Sequence, residues 1–218
     1  KLLCQVEGDY KIHFMTSHPK DATEKLIDVM AEEEHMAKHF HLPMQSGSDR
    51  ILKAMNRHYN TERYLSIVDY MRKKMPDVSI TSDIIVGFPG ESDEDFEMTL
   101  DMLRKVGFDM LYSFIYSPRK GTPAAEMSEQ IPKEIQSRRF EKLLAVQNEI
   151  ALEKNQPLVG RVLRVLCDGE SKTNSKLYSG RTEQAKIVFF EGEEKDAGQF
   201  VNVKITKAEA FALYGEKI

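Results

Sequence analysis

Val78-Ser79-Ile80-Thr81-Ser82-Asp83-Ile84-Ile85-Val86-Gly87-Phe88-Pro89-Gly90-Glu91-Ser92-Asp93-Glu94-Asp95 is the stretch whose reading decides the fold. Val78 to Val86 is a β-branched run, the composition of a buried strand. It breaks at Gly87-Phe88-Pro89-Gly90, and Ser92 then opens a helix whose acidic first turn (Asp93, Glu94, Asp95) suits the positive end of the helix dipole. A strand that turns directly into a helix is one unit of a parallel sheet with right-handed crossovers.

The same alternation extends outward. Upstream, His39 to Leu42 reads as a strand ending at Pro43. Ser48 is placed to cap a helix carrying Ile51, Leu52 and Met55, and Thr61 to cap the next, whose apolar stripe is Tyr64, Leu65, Ile67, Val68 and Met71. Before these, Lys11 to Thr16 is a short strand candidate, followed by a helix from Asp21 to Met36 with Leu26, Ile27, Met30 and Ala31 at helical spacing. Downstream come a strand from Phe108 to Tyr116, an ordered loop from Ser117 to Pro132, and a long helix from Lys133 to Lys154 with Phe140, Leu143, Leu144, Gln147 and Ile150 on one side. About four strand–helix units fall short of a closed eight-fold barrel of about 250 residues, leaving a small open sheet or part of a barrel.

After Pro157 the pattern changes to short alternating runs: Val159 to Cys167, Lys176 to Gly180, Ala185 to Phe190 and Gln199 to Thr206, divided by glycine-containing turns. Strands at that spacing predict a small β-barrel. A boundary near Asn155-Gln156-Pro157 divides residues 1–156 from 157–218.

Composition narrows the function classes. The hydrophobic fraction is 41% and the charged fraction 30%, as in ordinary folded chains. No apolar run approaches the roughly 20 residues that span a bilayer. The opening Lys1-Leu2-Leu3-Cys4-Gln5 has no Met and no long apolar stretch before a small-residue cleavage site. That argues against a signal peptide, and we expect further sequence upstream. Two cysteines, Cys4 and Cys167, form no paired motif, as expected in a reducing, cytoplasmic setting. A net charge of −4 excludes polyanion binding by the molecule as a whole and demands a local basic face for any nucleic-acid role.

Parallel α/β folds present function at the carboxyl ends of their strands. Here those ends are Thr16-Ser17-His18-Pro19, then His41-Leu42-Pro43-Met44-Gln45-Ser46-Gly47-Ser48, then Val86 to Glu91, then Tyr116-Ser117-Pro118-Arg119-Lys120-Gly121-Thr122-Pro123. Four polar or Gly/Pro-rich ends in succession favour a shared pocket over plain turn punctuation. His35, His39 and His41 invite a zinc reading, which we set aside because His39 begins a strand and no third ligand is apparent.

The combination of His41-Leu42-Pro43-x-Gln45-Ser46-Gly47-Ser48, Asp83 to Glu91, and Tyr116-Ser117-Pro118-Arg119-x-Gly121-Thr122-Pro123-Ala124-Ala125 resembles the radical-SAM methylthiotransferases. Among them it is most similar to the branch that modifies isopentenyladenosine next to the tRNA anticodon. Ser179-Gly180-Arg181-Thr182 and Leu213-Tyr214-Gly215-Glu216 resemble that family's C-terminal TRAM domain. The resemblance covers essentially the whole chain. It implies an α/β fold in which the later βα units of a partial TIM-like radical-SAM barrel precede a small all-β TRAM barrel.

The resemblance further implies a cytoplasmic, monomeric enzyme with no membrane attachment, S-adenosylmethionine as cofactor, and the tRNA anticodon stem-loop as partner. Two 4Fe-4S clusters belong to the full-length family enzyme, but their cysteine motifs are absent from this segment, which is expected to be inactive alone. In the family, reductive cleavage of S-adenosylmethionine leads to hydrogen abstraction at adenine C2 and transfer of a methylthio group to that carbon. No catalytic residue is assigned. Ser17, His41, Gln45, Asp83, Gly87, Phe88, Gly90 and Arg119 are expected to line the cofactor or the base. For His41 a structural role is an equal reading, for the glycines a tight turn, and for Arg119 a surface ion pair. Arg161, Arg164, Lys172, Arg181 and Lys186 are expected to meet RNA phosphates, with Arg161 and Lys186 facing solvent while Val162 and Ile187 face inward; a solvated charged face is the plain alternative. The competing functions are a sister enzyme acting on threonylcarbamoyl-adenosine or on a ribosomal-protein aspartate, a non-catalytic RNA-binding remnant, and an unrelated α/β enzyme.

Overall fold

Three parallel strands and the helices packed on one of their faces carry the first two thirds of the chain in the computed structural model, which describes residues 1–15, 18–172 and 177–218. After a one-turn 3-10 helix at Leu2–Gln5, the order is α1 (Glu24–Glu32), β1 (His39–His41), α2 (Asp49–Ala54), α3 (Thr61–Lys74), β2 (Ser79–Val86), α4 (Asp93–Val106), β3 (Met110–Ile115), α5 (Pro123–Glu126) and α6 (Lys133–Asn155). The strands lie in the order β1-β2-β3, with His41 opposite Thr81 and Asp83 opposite Tyr112.

Alternation along β2 sorts its side chains. Ile80, Ile84 and Val86 join Phe40 of β1 in a core with Ile27, Met30, Tyr64, Met71, Leu100, Leu103 and Leu143 from the helices. The residues between them, Ser79, Thr81, Asp83 and Ile85, share the opposite face with His39, His41, Tyr112 and Phe114. Among the described residues no helix covers that inner face. Tyr112 and Phe114 are 41% and 52% exposed there, whereas Ile80 and Ile84 are fully buried.

Capping sets the helix starts. Ser92 and Asp95 form a reciprocal capping box at the start of α4, and Gly107 ends that helix in the left-handed conformation, φ 57°. Ser48 caps α2 as expected, its hydroxyl accepting from the Ile51 amide. For α3 the cap is Asn60 rather than Thr61, its carboxamide oxygen accepting from the Arg63 amide at 2.9 Å. Thr23 caps α1, which is therefore shorter than the expected Asp21–Met36.

The larger correction is at the first strand. Among the described residues, Lys11 to Met15 make one isolated bridge, Ile12 to Met36, and no strand, so three strands stand where about four units were expected. Ile12 donates to the His35 carbonyl at 2.7 Å and accepts from Ala37 at 3.0 Å, and the pairing then stops. Thr16 and Ser17 lie outside the described residues. The expected stripe of α6 packs inward through Leu143 and Gln147, with Phe140 and Ile150 partly buried against the core, and it extends to Gln136, Arg139, Val146, Ala151 and Asn155, whose polar members reach backbone or charges.

A closed five-stranded barrel follows, in the order β4-β5-β6-β8-β7: β4 (Val162–Glu170), β5 (Tyr178–Arg181), β6 (Ile187–Phe190), β7 (Phe200–Ala208) and β8 (Leu213–Lys217). The fifth strand, Leu213–Lys217, was not anticipated; its parallel pairing to β6 is what closes the barrel and removes the open edges. Val165, Cys167, Val188, Phe190, Val203, Ile205 and Leu213 fill its core. Gly180 and Gly215 take no side chain, because a Cβ at either would meet a carbonyl oxygen of the neighbouring strand at 2.4 Å.

One buried knot joins barrel to sheet. Asp109, just before β3, accepts from the Ile80 amide at 2.9 Å, from Lys154 of α6 at 2.6 Å and from Lys186 of the barrel at 2.9 Å. Burial opposes its charge, but the two ammonium groups outweigh that and hold the carboxyl below its usual range. Asn155 adds bonds to Lys186 and to the Glu209 and Ala210 carbonyls. Lys186 therefore does not face solvent, and Val162, 50% exposed, does not face inward. The alternation runs one residue out of the expected phase, with Leu163, Val165 and Cys167 turned to the core.

The uneven pairing of the strands predicts uneven amide exchange. Amides of Ile80 to Val86 should exchange orders of magnitude more slowly than those of His13 to Met15, because only the former lie in a paired strand among the described residues. Uniform protection of both segments by hydrogen-exchange mass spectrometry would mean that a fourth strand forms in solution.

Candidate active-site face and cavity

The carboxyl ends of the three strands converge on a cavity of about 770 Å³, within the range that holds a nucleotide-sized ligand. Gln45, Asp83, Phe88 and Arg119 line it together, four of the eight residues expected there from sequence. His41 lies beside it, its Nε2 3.5 Å from Asp83 Oδ1. Gly87 and Gly90 sit in the turn that carries Phe88 into the wall. Ser17 lies outside the described residues.

Each position has a local cause. Gln45 adopts φ 69°, uncommon for a residue with a side chain, while its amide donates to the Asp83 carbonyl at 2.8 Å and its carbonyl accepts from Ile85 at 3.0 Å. These bonds continue the parallel ladder beyond β1 by a single residue. Gly47 then lies against α4 so closely that a Cβ would come within 2.5 Å of Thr99 Cα. Ser48 donates to Asp95 Oδ1 at 2.5 Å, and Arg50 pairs with the same carboxylate. Burial disfavours the Asp95 charge, but Arg50, Ser48 and Ser92 outweigh it and hold the carboxyl below its usual range.

The turn after β2 is closed from inside. Glu91 Oε2 accepts from the Gly87 amide at 2.9 Å and from Arg139 Nη1 at 2.8 Å. Arg139 also donates to the Glu91 carbonyl at 3.0 Å and to Asp93 Oδ1 at 2.7 Å. Both side chains of the Glu91–Arg139 pair are almost fully buried. Burial pushes the Glu91 carboxyl up despite its amide and guanidinium partners. Gly87 has φ 76°, and a Cβ there would strike Gln136 Cγ at 2.5 Å, so the close neighbour at this glycine is α6. Gly90, φ 78°, donates to the Glu129 carbonyl and accepts from Arg50. Sequence reading missed Arg139 and Gln136, buried polar residues of α6 outside the apolar stripe expected on that helix.

On the inner face, His39 Nε2 and His41 Nδ1 approach the Thr81 hydroxyl at 3.0 and 2.9 Å. The hydroxyl has one proton, and the Asp83 carboxylate only accepts. One arrangement satisfies all three contacts: His39 Nε2–H donates to Thr81, Thr81 donates to His41 Nδ1, and His41 Nε2–H faces Asp83. Burial, with smaller contributions from His13 and His41, lowers His39 to about 4. Neutral His39 can thus hold its proton toward Thr81 throughout the physiological range.

The basic residues of the barrel divide. Arg161, Arg164 and Lys172 are exposed. Arg164 stacks on Phe200 at 3.9 Å and pairs with Asp9, and Lys204 lies on the same outer face of the β4–β7 ladder. Arg181 sits 3.7 Å from Asp168. Lys186 is committed to Asp109, which leaves it no free charge for a phosphate. Cys167 lies in the barrel core, where burial pushes its thiol up, and Cys4 lies in the one-turn helix at the start. No group of three metal-ligating side chains occurs among the described residues, so this chain's own residues do not fit an iron–sulfur cluster. No helix among the described residues is long and apolar enough to cross a membrane.

Two measurements test this geometry. Arg139→Leu leaves Glu91 buried without its counter-charge and should cost about 3–5 kcal/mol in chemical denaturation, with Glu91→Gln recovering part of the loss in the double variant. A loss no larger than that of a surface substitution would place the pair outside the core. His39 has a folded-state value near 4, below the ordinary 6.5 of the unfolded chain. Its neutral-state contribution is therefore intact above about pH 6.5 and is lost progressively as pH falls toward 4. Replacement by Gln should flatten the stability profile in that window; an unchanged slope would show that His39 titrates as a solvent-exposed imidazole.

Comparison with known proteins adds the family. The model of the Radical SAM superfamily matches residues 1–103, and that of the TRAM domain matches residues 156–218. The tRNA-2-methylthio-N(6)-dimethylallyladenosine synthase of Alkaliphilus oremlandii is 50% identical over 218 residues, covering 100% of this chain and 46% of that protein. Proteins of the same name from Caldicellulosiruptor saccharolyticus and Carboxydothermus hydrogenoformans are 52% and 48% identical, covering 98% and 97% of this chain and 45% and 48% of theirs. The chain thus spans about half the length of the curated relatives it matches. In fold alone it is similar to the coproporphyrinogen III oxidase of Escherichia coli, described as a radical SAM enzyme, with TM-score 0.53, 12% identity, and coverage of 76% of this chain and 45% of the other. The chain thus carries Radical SAM superfamily sequence in its α/β part and TRAM sequence in its barrel, and it is close to 50% identical along its whole length to these synthases.

Proposed function

We propose that this chain is the later part of an enzyme that adds a methylthio group to C2 of isopentenyladenosine next to the anticodon of tRNA. The observation that carries the reading is the meeting of Gln45, Asp83, Phe88 and Arg119 on one cavity, with His41 against Asp83, in a chain so similar to the named synthases.

S-adenosylmethionine suits that cavity by size and by chemistry. Phe88, carried into the lining by the Gly87–Gly90 turn, offers an aromatic wall. Gln45 and Asp83 offer an amide and a carboxylate for ribose hydroxyls or an amino group, and Arg119 a fork for an anion. Arg119 is exposed and has no carboxylate within ion-pair distance among the described residues. When bound, S-adenosylmethionine supplies the sulfonium chemistry of the reaction; these side chains position it and exclude water. The iron–sulfur clusters of the family require ligands from other sequence.

The RNA-contacting unit begins after Asn155-Gln156-Pro157. Arg161, Arg164, Lys172 and Arg181 meet phosphates of the anticodon stem-loop, adding affinity without base specificity. The enzyme acts as a cytoplasmic monomer.

Nucleoside mass analysis of tRNA tests the substrate. Deleting the gene that encodes this chain should abolish 2-methylthio-isopentenyladenosine and accumulate isopentenyladenosine. Unchanged methylthio-isopentenyladenosine would overturn the assignment, and selective loss of the methylthio form of threonylcarbamoyl-adenosine would assign the sister activity.

A further inference from the structure

Arg164 stands on the outside of the barrel already engaged by two partners, one of them from the other end of the chain. Its Cζ lies 3.9 Å from the centroid of the Phe200 ring, and its Nη2 pairs with the carboxylate of Asp9, 155 residues earlier. Stacking covers one face of the guanidinium and leaves its edge for an oxyanion. A carboxylate and a phosphate present the same kind of paired oxygens to that edge.

The surroundings suit a nucleic-acid strand. Val203 and Ile205 of β7 turn into the barrel core, so Phe200, Asn202 and Lys204 share the outer face. The register sets Arg164 opposite Asn202 and Leu166 opposite Phe200. Lys204 is exposed, with Glu216 of β8 opposite it. An aromatic ring, a guanidinium stacked on it and an exposed ammonium on one sheet face can take a base and its phosphates.

Asp9 is delivered to this face by anchored neighbours. Gly8, φ 140°, turns the chain just before it. Tyr10 stacks on His35 with ring centroids 4.1 Å apart, and its hydroxyl donates to the Leu3 carbonyl at 2.6 Å. Lys11 donates to the Glu34 carbonyl at 2.7 Å and pairs with Glu183 of the barrel at 2.9 Å. The pair itself stays open to water, the Asp9 and Arg164 side chains being 64% and 48% exposed. A pair so open is weak and easily exchanged.

We propose that Asp9 is an internal stand-in for an RNA phosphate: it occupies the edge of Arg164 in the free protein and gives way when the RNA backbone reaches that face. The exchange sets a threshold, because a polyanion gains at Arg164 only what its phosphate offers beyond the carboxylate. The inference rests on the barrel being the RNA-contacting unit proposed above, and adds what holds one of its contacts beforehand.

The test is a double-variant cycle on the whole chain, reading affinity for a fluorescently labelled RNA hairpin of anticodon stem-loop sequence by anisotropy at fixed salt. Asp9→Asn should tighten binding roughly two- to fivefold, the worth of one exposed ion pair. Arg164→Ala should weaken binding, and adding Asp9→Asn to it should then change nothing. The slope of log affinity against log salt should steepen in Asp9→Asn by roughly 0.7–0.9, one further phosphate contact. An equal gain from Asp9→Asn with and without Arg164 means that the carboxylate acts only through the general field, and overturns the proposal. Unchanged or weaker binding by Asp9→Asn overturns it too: the pair is then an ordinary brace, and the RNA reading of the barrel stands. A hairpin bound by none of the proteins brings down both.

Discussion

The buried pair of Glu91 and Arg139 is the interaction on which the rest of this structure depends. Glu91 closes the turn after β2 by taking the Gly87 amide, and Arg139 brings α6 onto that turn. The turn sets Phe88 against Tyr116, which makes one wall of the cavity. Helix α6 runs from Arg139 to Lys154 and Asn155, which hold the barrel through Asp109 and Lys186. A charge pair out of water is expensive unless every remaining valence is met, and here backbone groups and Asp93 meet most of them.

The two faces of the sheet divide labour through strand alternation. One face is apolar and welded to helices, and supplies the stability. The other carries His39, Thr81, His41 and Asp83 in a line of polar contacts, with Tyr112 against His41 at 5.5 Å. Burial keeps His39 neutral, and the Asp83 carboxylate, which only accepts, sets the direction of the donors along the line. Such an arrangement fixes tautomers, which is the usual precondition for positioning a polar ligand.

Charge on the barrel is partly spent at home. Lys186 serves the interdomain knot, Arg164 is shared between Phe200 and Asp9, and Arg181 has Asp168 nearby. With a net charge of −4, the molecule offers a phosphate a favourable field only where such residues remain exposed together. Arg164 and Lys204 share the outer face of the β4–β7 ladder.

Local chemistry was legible in the sequence because it depends on neighbours along the chain. The Val78–Val86 run, the Ser92 cap with its acidic turn, the Ser48 cap and the change of period after Pro157 each record a preference of a few adjacent residues, and each element exists. So did the convergence of Gln45, Asp83, Phe88 and Arg119, since parallel strands must align their carboxyl ends. What depended on distant partners was not legible. Lys11 to Met15 has a strand's composition but pairs at one bridge only, and Thr61 lost the cap to Asn60 by a single residue of register. Arg139 and Gln136 gave no signal, and Lys186 gave a misleading one, because a charged or polar residue in a helix or strand reads as solvent-facing until its partner is known. Sequence determined which segments become helix, strand or turn, as local propensity and period do. Tertiary structure alone decided which polar groups are buried and against what, because the energy of a buried charge or donor is set by atoms that lie tens of residues away.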